Sequence, residues 1–213
     1  MVTPYYDSGG ITIYHGDARE ILPLVKADVM VTDPPYGMDY QSGWGAGHAK
    51  IVGDDGTVVR DAVLAIWGKR PAIVFGRWDV PRPASTVARL IWSKAPDPGM
   101  GDLSFPWGCS DEEVYIIGDG FQGRRVANVL TFPKPNPNGR LHPTPKSLPL
   151  MAHLIERCPQ GTILDPFMGS GTTLRAAKDC GRRAIGIEIE ERYCEIAANR
   201  MRQGVLFGRE DHP

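Results

Sequence analysis

Asp33-Pro34-Pro35-Tyr36-Gly37 stands directly after an apolar run, Val29-Met30-Val31-Thr32. A carboxylate at the end of a buried strand is out of place unless it has a partner. Two consecutive prolines fix the backbone and withhold two N–H donors, which leaves the carbonyls of Asp33 and Pro34 to accept from a ligand. Tyr36 offers a flat face on which a base can stack, a contact worth about 1–3 kcal/mol. An amino group on an aromatic ring is a poor nucleophile, because its lone pair is delocalised into the ring. A carboxylate and a carbonyl that accept from its two hydrogens favour the pyramidal form and localise that pair. A sulfonium methyl held in line would complete a direct transfer, needing no metal and no covalent enzyme intermediate.

A second constellation, Asp165-Pro166-Phe167-Met168-Gly169-Ser170-Gly171-Thr172-Thr173, also follows an apolar run, Thr162-Ile163-Leu164. It precedes a helical pattern, and that is where an open α/β sheet binds its ligand. Gly169 and Gly171 let backbone and ligand approach closely. Ser170 or Thr172 can cap the helix. The pattern is not G-x-G-x-x-G, because Leu174 stands three residues after Gly171. It is not a P-loop either, since no lysine follows Gly171. A nucleoside or methyl-donor loop remains. Glu188 ends the next strand about twenty residues on, where a carboxylate can accept from both ribose hydroxyls.

Strands alternating with helices must position these groups. Ile11–Tyr14 reads as a strand, Asp17 opens a helix with apolar positions Ile21, Leu22 and Val25, and 29–32 is a buried parallel strand. A helix at Val58–Gly68 and a strand at Ala72–Phe75 follow. A further helix is expected at Ala84–Arg89, leading into the apolar run Leu90-Ile91-Trp92. Val114–Ile117 is a strand, and Leu148, Met151, Ala152 and Ile155 form a helical stripe. The helix after the glycine loop runs through Leu174–Asp179 to Gly181. Ala184–Ile189 is a strand, and Tyr193, Ile196, Ala197 and Met201 mark the last helix. This alternation implies an α/β domain with a mostly parallel sheet. Residues 37–56 hold six glycines and read as a mobile loop. Residues 133–145 hold five prolines and read as an extended connector.

The 213 residues suit one domain, 1–213. No run approaches the roughly 20 apolar residues of a membrane span, and the first ten residues lack the pattern of a signal peptide. The four cysteines are widely spaced with no C-x-x-C, so reduced thiols of a cytoplasmic protein are expected rather than disulfides or a zinc site. His15 and His48 are not expected to be ligands. The net charge of −1 argues against a uniformly basic nucleic-acid binder. Charge is uneven, however: between Asp119 and Glu156 there is no acidic residue, while Arg124, Arg125, Lys134, Arg140, His142 and Lys146 fall there. Such a segment suits phosphate contact, or pairs with the rest of the protein.

The two loops in this order resemble the amino-methylating DNA methyltransferases of the circularly permuted β class. His15-Gly16-Asp17 resembles the segment whose aspartate lies near the cofactor's adenine. Trp92-Ser93-Lys94 resembles the family's internal W-x-K. His142-Pro143-Thr144-Pro145-Lys146 resembles H-P-T-x-K-P, with Ser147 where the family has proline. The tail Gly186-Ile187-Glu188-Ile189-Glu190-Glu191-Arg192-Tyr193 also matches. Pro98-Gly99-Met100-Gly101-Asp102-Leu103 with Pro106-Trp107-Gly108 looks more specifically like small orphan methylases of actinobacterial phages or prophages. The resemblance implies a circularly permuted Rossmann-like fold with a β-hairpin edge, and S-adenosylmethionine as cofactor. Asp33, Pro34, Pro35 and Tyr36 would hold a flipped base. Asp17, Ala18 and Asp33, then His142, Thr144 and Lys146, would contact the cofactor. So would Asp165, Pro166, Phe167, Gly169, Ser170, Gly171, Thr172 and Thr173, with Glu188 and Ile189. Trp44, Lys94, Arg124, Arg125, Lys134 and Arg140 would meet double-stranded DNA, with Trp92 in the core. D-P-P-Y goes more often with adenine and S-P-P-Y with cytosine N4, so adenine N6 is the expected target and cytosine N4 the alternative. Only 95–140 is available as a short target-recognition-like insertion. Specificity is then short or relaxed, or a homodimer supplies the rest. RNA or protein-glutamine methylation is disfavoured by the loop order, and decay to a DNA-binding module by the intact Asp33, Tyr36 and Glu188. The setting is a bacterial cell or a phage-infected host.

Overall fold

The computed structural model describes residues 2–35, 57–94, 96, 104, 106–134 and 146–203. Along its central strands successive residues face opposite sides. Val29, Val31, Ile73 and Phe75 enter one core, while Met30, Ala72 and Val74 enter another. Burial on both faces is what their nearly continuous apolar sequence implies.

The strands are β1 (Tyr6–Ser8), β2 (Ile11–His15), β3 (Val29–Thr32), β4 (Ala72–Gly76), β5 (Thr86–Ser93), β6 (Asp111–Ile117), β7 (Val129–Thr131), β8 (Ile163–Asp165) and β9 (Ala184–Glu188). They form one sheet in the order β1-β2-β9-β8-β3-β4-β6-β5-β7. The run from β2 to β4 is parallel throughout. β1 closes one edge as an antiparallel hairpin with β2, and β6 runs antiparallel to both β4 and β5. The helices are α1 (Ala18–Ile21), α2 (Val58–Trp67), α3 (Leu148–Ile155), α4 (Thr172–Asp179) and α5 (Glu191–Arg202). Ile21, Val63 and Trp67 put α1 and α2 on one face. Leu150, Met151, Leu154, Leu174, Ala197 and Met201 put α3, α4 and α5 on the other. This is the expected α/β layering, with a mostly parallel centre and a hairpin edge.

From β3 the chain crosses through α2 to β4 on one side, and from β8 it crosses through α4 to β9 on the other. The neighbours β3 and β8 therefore flank a point where strand order reverses, the position outside whose carboxyl ends open α/β sheets receive their ligands.

One expectation changes. Residues 86–93 form a strand, not a helix at 84–89: they pair with β6 on one side and β7 on the other. The β-branched and aromatic content of T-V-A-R-L-I-W-S suits that pairing, and tertiary partners override the weak helical preference around Ala88. Within 95–140, expected as a short target-recognition-like insertion, β6 lies inside the sheet between β4 and β5. The glycine-rich loop 37–56 and residues 135–145 lie outside the described residues. No helix among the described residues is long and apolar enough to cross a membrane.

Candidate active site

The carboxyl ends of β2, β9, β8 and β3 bring distant residues to one rim. His15 lies opposite Glu188 in register, and Gly16 N–H donates to the Glu188 carbonyl at 2.9 Å, which sets Asp17 beside the end of β9. Asp17 caps α1: its carboxylate accepts from Arg19 N–H at 2.8 Å and pairs with the Arg19 guanidinium. Those hydrogen bonds hold its pKa below the ordinary carboxylate range. Ala18 is buried beside it and Ile189 is exposed.

The glycine turn hangs on Glu188. One carboxylate oxygen accepts from Gly169 N–H and the other from Glu190 N–H, each at 2.9 Å. Burial raises the Glu188 pKa against these bonds. A carboxylate has about four acceptor sites, so capacity for a hydroxyl donor remains. Gly171 is left-handed (φ 80°), and a Cβ there would lie 2.9 Å from Ala197 Cβ of α5. This glycine therefore serves helix packing as well as the turn. Gly186 is needed for the same reason, since its Cβ would meet Met168 Sδ at 2.4 Å. Neither Ser170 nor Thr172 caps α4. The cap residue is Gly171 itself, with no side-chain bond, and Thr172 Oγ1 accepts from Arg200 at 3.2 Å.

Asp165 ends β8 at 2% exposure. It accepts from Thr32 Oγ1 at 2.7 Å, from Phe167 N–H at 3.1 Å and from the Thr173 hydroxyl. Burial pushes its pKa up to about 6, the three donors opposing and the nearby Asp33 adding to the rise. Asp165 thus ties β3, β8 and α4 together from within. Pro166 and Ser170 are buried, and Phe167 is half-buried against the α1–α2 core.

Asp33 follows β3, with Pro34 buried and Pro35 half-buried. Its Oδ2 lies 2.9 Å from Lys146 Nζ. Lys146 also meets Glu112 at 2.5 Å, and Glu112 meets Lys94 at 2.6 Å. The Lys146 side chain is 11% exposed, and its ammonium stands 4.8 Å from the Phe75 ring centre. Burial alone would lower its pKa, but Asp33 and Glu112 together raise it. Burial likewise opposes ionisation of Glu112, yet Lys146 and Lys94 keep its pKa below normal. Glu112 is the residue that sequence reasoning missed. It sits in an acidic run, Asp111-Glu112-Glu113, that reads locally as a solvated strand end; only the β5–β6 ladder reveals its partners.

The expected DNA contacts divide. Lys94 is mostly buried and paired with Glu112 instead. Trp92 is in the core as expected, donating to the Phe132 carbonyl at 2.8 Å. Arg124 and Arg125 are exposed but lie at the far end of the sheet. They follow the carboxyl end of β6, which runs away from the rim, and the neighbouring Gln122 N–H donates to the Arg157 carbonyl below β8 at 2.8 Å. Lys134 follows β7, which runs back towards the rim. Tyr36, Trp44, Arg140, His142 and Thr144 lie outside the described residues. Among the described residues no group of three or more His, Cys, Asp or Glu side chains could hold a metal ion.

Asp17 and Glu188 bring carboxylate acceptors to one rim, where hydroxyl or amino donors of a nucleoside could be received.

Comparison with known proteins agrees with this geometry. The family model described as DNA methylase matches residues 65–199. The chain is 48% identical to the type II methyltransferase M2.DpnII of Streptococcus pneumoniae, covering 94% of this chain and 93% of that one. It is 42% identical to M2.LlaDCHI of Lactococcus lactis subsp. cremoris, covering 98% and 95%. Among solved structures, the M1.HpyAVI–SAM complex superposes with a TM-score of 0.66 at 24% identity, covering 91% of this chain and all of that one. PvuII DNA methyltransferase, described as cytosine-N4-specific, does so with a TM-score of 0.66 at 15% identity, covering 99% and 91%. At these identities the structures speak to the fold alone.

Proposed function

This chain belongs to the DNA methylase family, and from that premise we propose that it methylates the N6 amino group of adenine in DNA. Membership makes it an amino-methylating DNA methyltransferase dependent on S-adenosylmethionine. The finer reading concerns the target base and the residues that serve it. S-adenosylmethionine, when bound, supplies a methyl group on a sulfonium centre.

The observation that carries the reading is a carboxylate, Asp33, at the end of β3 beside the strand-order reversal, with a lysine ammonium 2.9 Å away. Asp33 accepts a hydrogen bond from the target amino group, which draws the nitrogen lone pair out of conjugation. The Pro34-Pro35 pair keeps the backbone carbonyl in place to receive the second hydrogen. Tyr36 stacks on the base, which must leave the duplex at a cost of a few kcal/mol. Asp33 would stabilise the positive charge that the amino nitrogen gains on accepting the methyl group, and would stand beside that nitrogen to receive the proton it then gives up. Glu188 and Asp17 hold the nucleoside half of the cofactor, and Asp165 keeps the glycine turn in register. The D-P-P-Y form of the loop supports adenine over cytosine.

The test is direct. Duplex DNA is incubated with the enzyme and the cofactor, digested to nucleosides and separated by mass spectrometry. N6-methyladenine is expected; N4-methylcytosine as the sole product would overturn the choice of base.

A further inference from the structure

We propose that Glu112 and Lys94 are positioning residues for methyl transfer, clamping Lys146 against Asp33 so that the acceptor carboxylate is oriented before DNA arrives. The inference rests on Asp33 being the acceptor for the target amino group.

Four charges from four separate stretches of chain meet in line: Asp33 after β3, Lys146 before α3, Glu112 in β6 and Lys94 after β5. The contacts are 2.9, 2.5 and 2.6 Å along the row. The row sums to zero charge, and every member is largely removed from solvent, with side-chain exposures of 29%, 11%, 20% and 13% in that order. A lysine has a flexible four-carbon stem and three donors, so a single carboxylate does not fix where its ammonium sits. Glu112 supplies the second fixed point. It stands opposite Trp92 in the β5–β6 ladder, which makes its backbone among the most constrained near the rim. Lys94 engages the other oxygen of Glu112 and lies 5.0 Å from the Trp92 ring centre. With one oxygen given to each lysine, Glu112 cannot rotate away without losing a pair.

The antiparallel half of the sheet thereby acts on the reaction without touching substrate. It resembles the outer partners that hold a functional group in its working geometry, where small displacements are costly. Asp33 is faced by Lys146 from the start of α3 and by Asp165 from the end of β8, with Glu112 and Lys94 acting through Lys146.

Purified full-length variants are compared in single-turnover methylation across pH, with cofactor affinity and thermal melting measured on each. Glu112→Gln is expected to lower kcat about tenfold with cofactor affinity kept, and Lys146→Met to lower it about a hundredfold. Lys146→Arg, which keeps a cation beside Asp33, is expected to recover most of the kcat that Lys146→Met loses. Glu112→Gln adds nothing in the Lys146→Met background, as expected of a residue acting through that lysine. Wild-type kcat in Glu112→Gln, no recovery in Lys146→Arg, or multiplying effects in the double variant would each overturn the clamp. Should Lys146→Met lose cofactor binding, Lys146→Gln takes its place. Asp33→Ala separates the two claims: a fully active Asp33→Ala sinks the reading of the site, whereas an inactive one beside wild-type Glu112→Gln sinks the clamp alone.

Discussion

Asp33 and Asp165 stand at the ends of adjacent parallel strands, each followed by proline, joined by the Thr32 hydroxyl that donates to Asp165 at 2.7 Å. Their surroundings could hardly differ more. Asp165 is sealed in and satisfied by neutral donors, two hydroxyls and a backbone N–H, and its pKa rises to about 6. Asp33 is 29% exposed and faces an ammonium. Neutral donors hold a carboxylate in place but compensate its buried charge only partly; an ammonium beside a carboxylate offsets its charge directly. The same Asp-Pro pair is thus a buried rivet in one turn and a half-exposed, lysine-paired carboxylate in the other, which the proposed reading makes the acceptor; what the neighbouring elements deliver decides which.

One substitution made at both positions probes that contrast most strongly. Asp33→Asn is expected to cut kcat about a thousandfold with little change in melting temperature, because the acceptor in the transition state is lost. Asp165→Asn should do the reverse. It costs about 1–3 kcal/mol of stability by facing an NH₂ against donors that need an acceptor, while transfer remains measurable. Comparable kcat losses at the two sites would erase the distinction.

The pH dependence of stability sharpens it. Between the ordinary carboxylate value near 4 and about 6, folded Asp165 holds a proton that the unfolded chain has released. Its contribution to stability is therefore complete below about pH 4 and is lost as pH rises through 6, an effect of about 2–3 kcal/mol. Urea titrations across this range should show the wild-type slope flattened in Asp165→Asn.

Thr32→Val cuts the link between the two turns. A loss of about 1 kcal/mol is expected, with kcat within about threefold of wild type. A much larger drop in kcat would mean that the rivet also aims Asp33. The smallest effect is expected at the opposite end of the sheet. Replacing Arg124 and Arg125 together by alanine should leave the salt dependence of DNA binding unchanged, since the slope falls by about one unit only for each phosphate that a protein ceases to neutralise. A reduced slope would place DNA on that face.

Much of this was legible in the chain. The apolar runs at 29–32, 72–75, 162–164 and 184–189 announced buried parallel strands, and Asp33, the glycine turn and Glu188 followed three of them as local motifs. The edge strands were harder: Tyr6–Ser8 and Val129–Thr131 are only three residues long, too short for a period to register. Thr86–Ser93 carries an alanine and an arginine that read as helical until β6 and β7 are placed beside it. The basic content of 124–146 was visible, but not that β6 carries its first two arginines away from the rim.

The sequence by itself determined the strand-and-helix alternation, the two loops and hence the family's chemistry, because each of these is written in contiguous residues whose burial and backbone geometry are local matters. Only the tertiary structure decided which charges meet. Asp33, Lys94, Glu112 and Lys146 are spread over more than half the chain, and no spacing rule relates them. They become neighbours because β6 enters the sheet between β4 and β5, which sets Glu112 within reach of both lysines. Electrostatic partnership depends on distance and on exclusion of water, and both are properties of the packed sheet rather than of the order of residues.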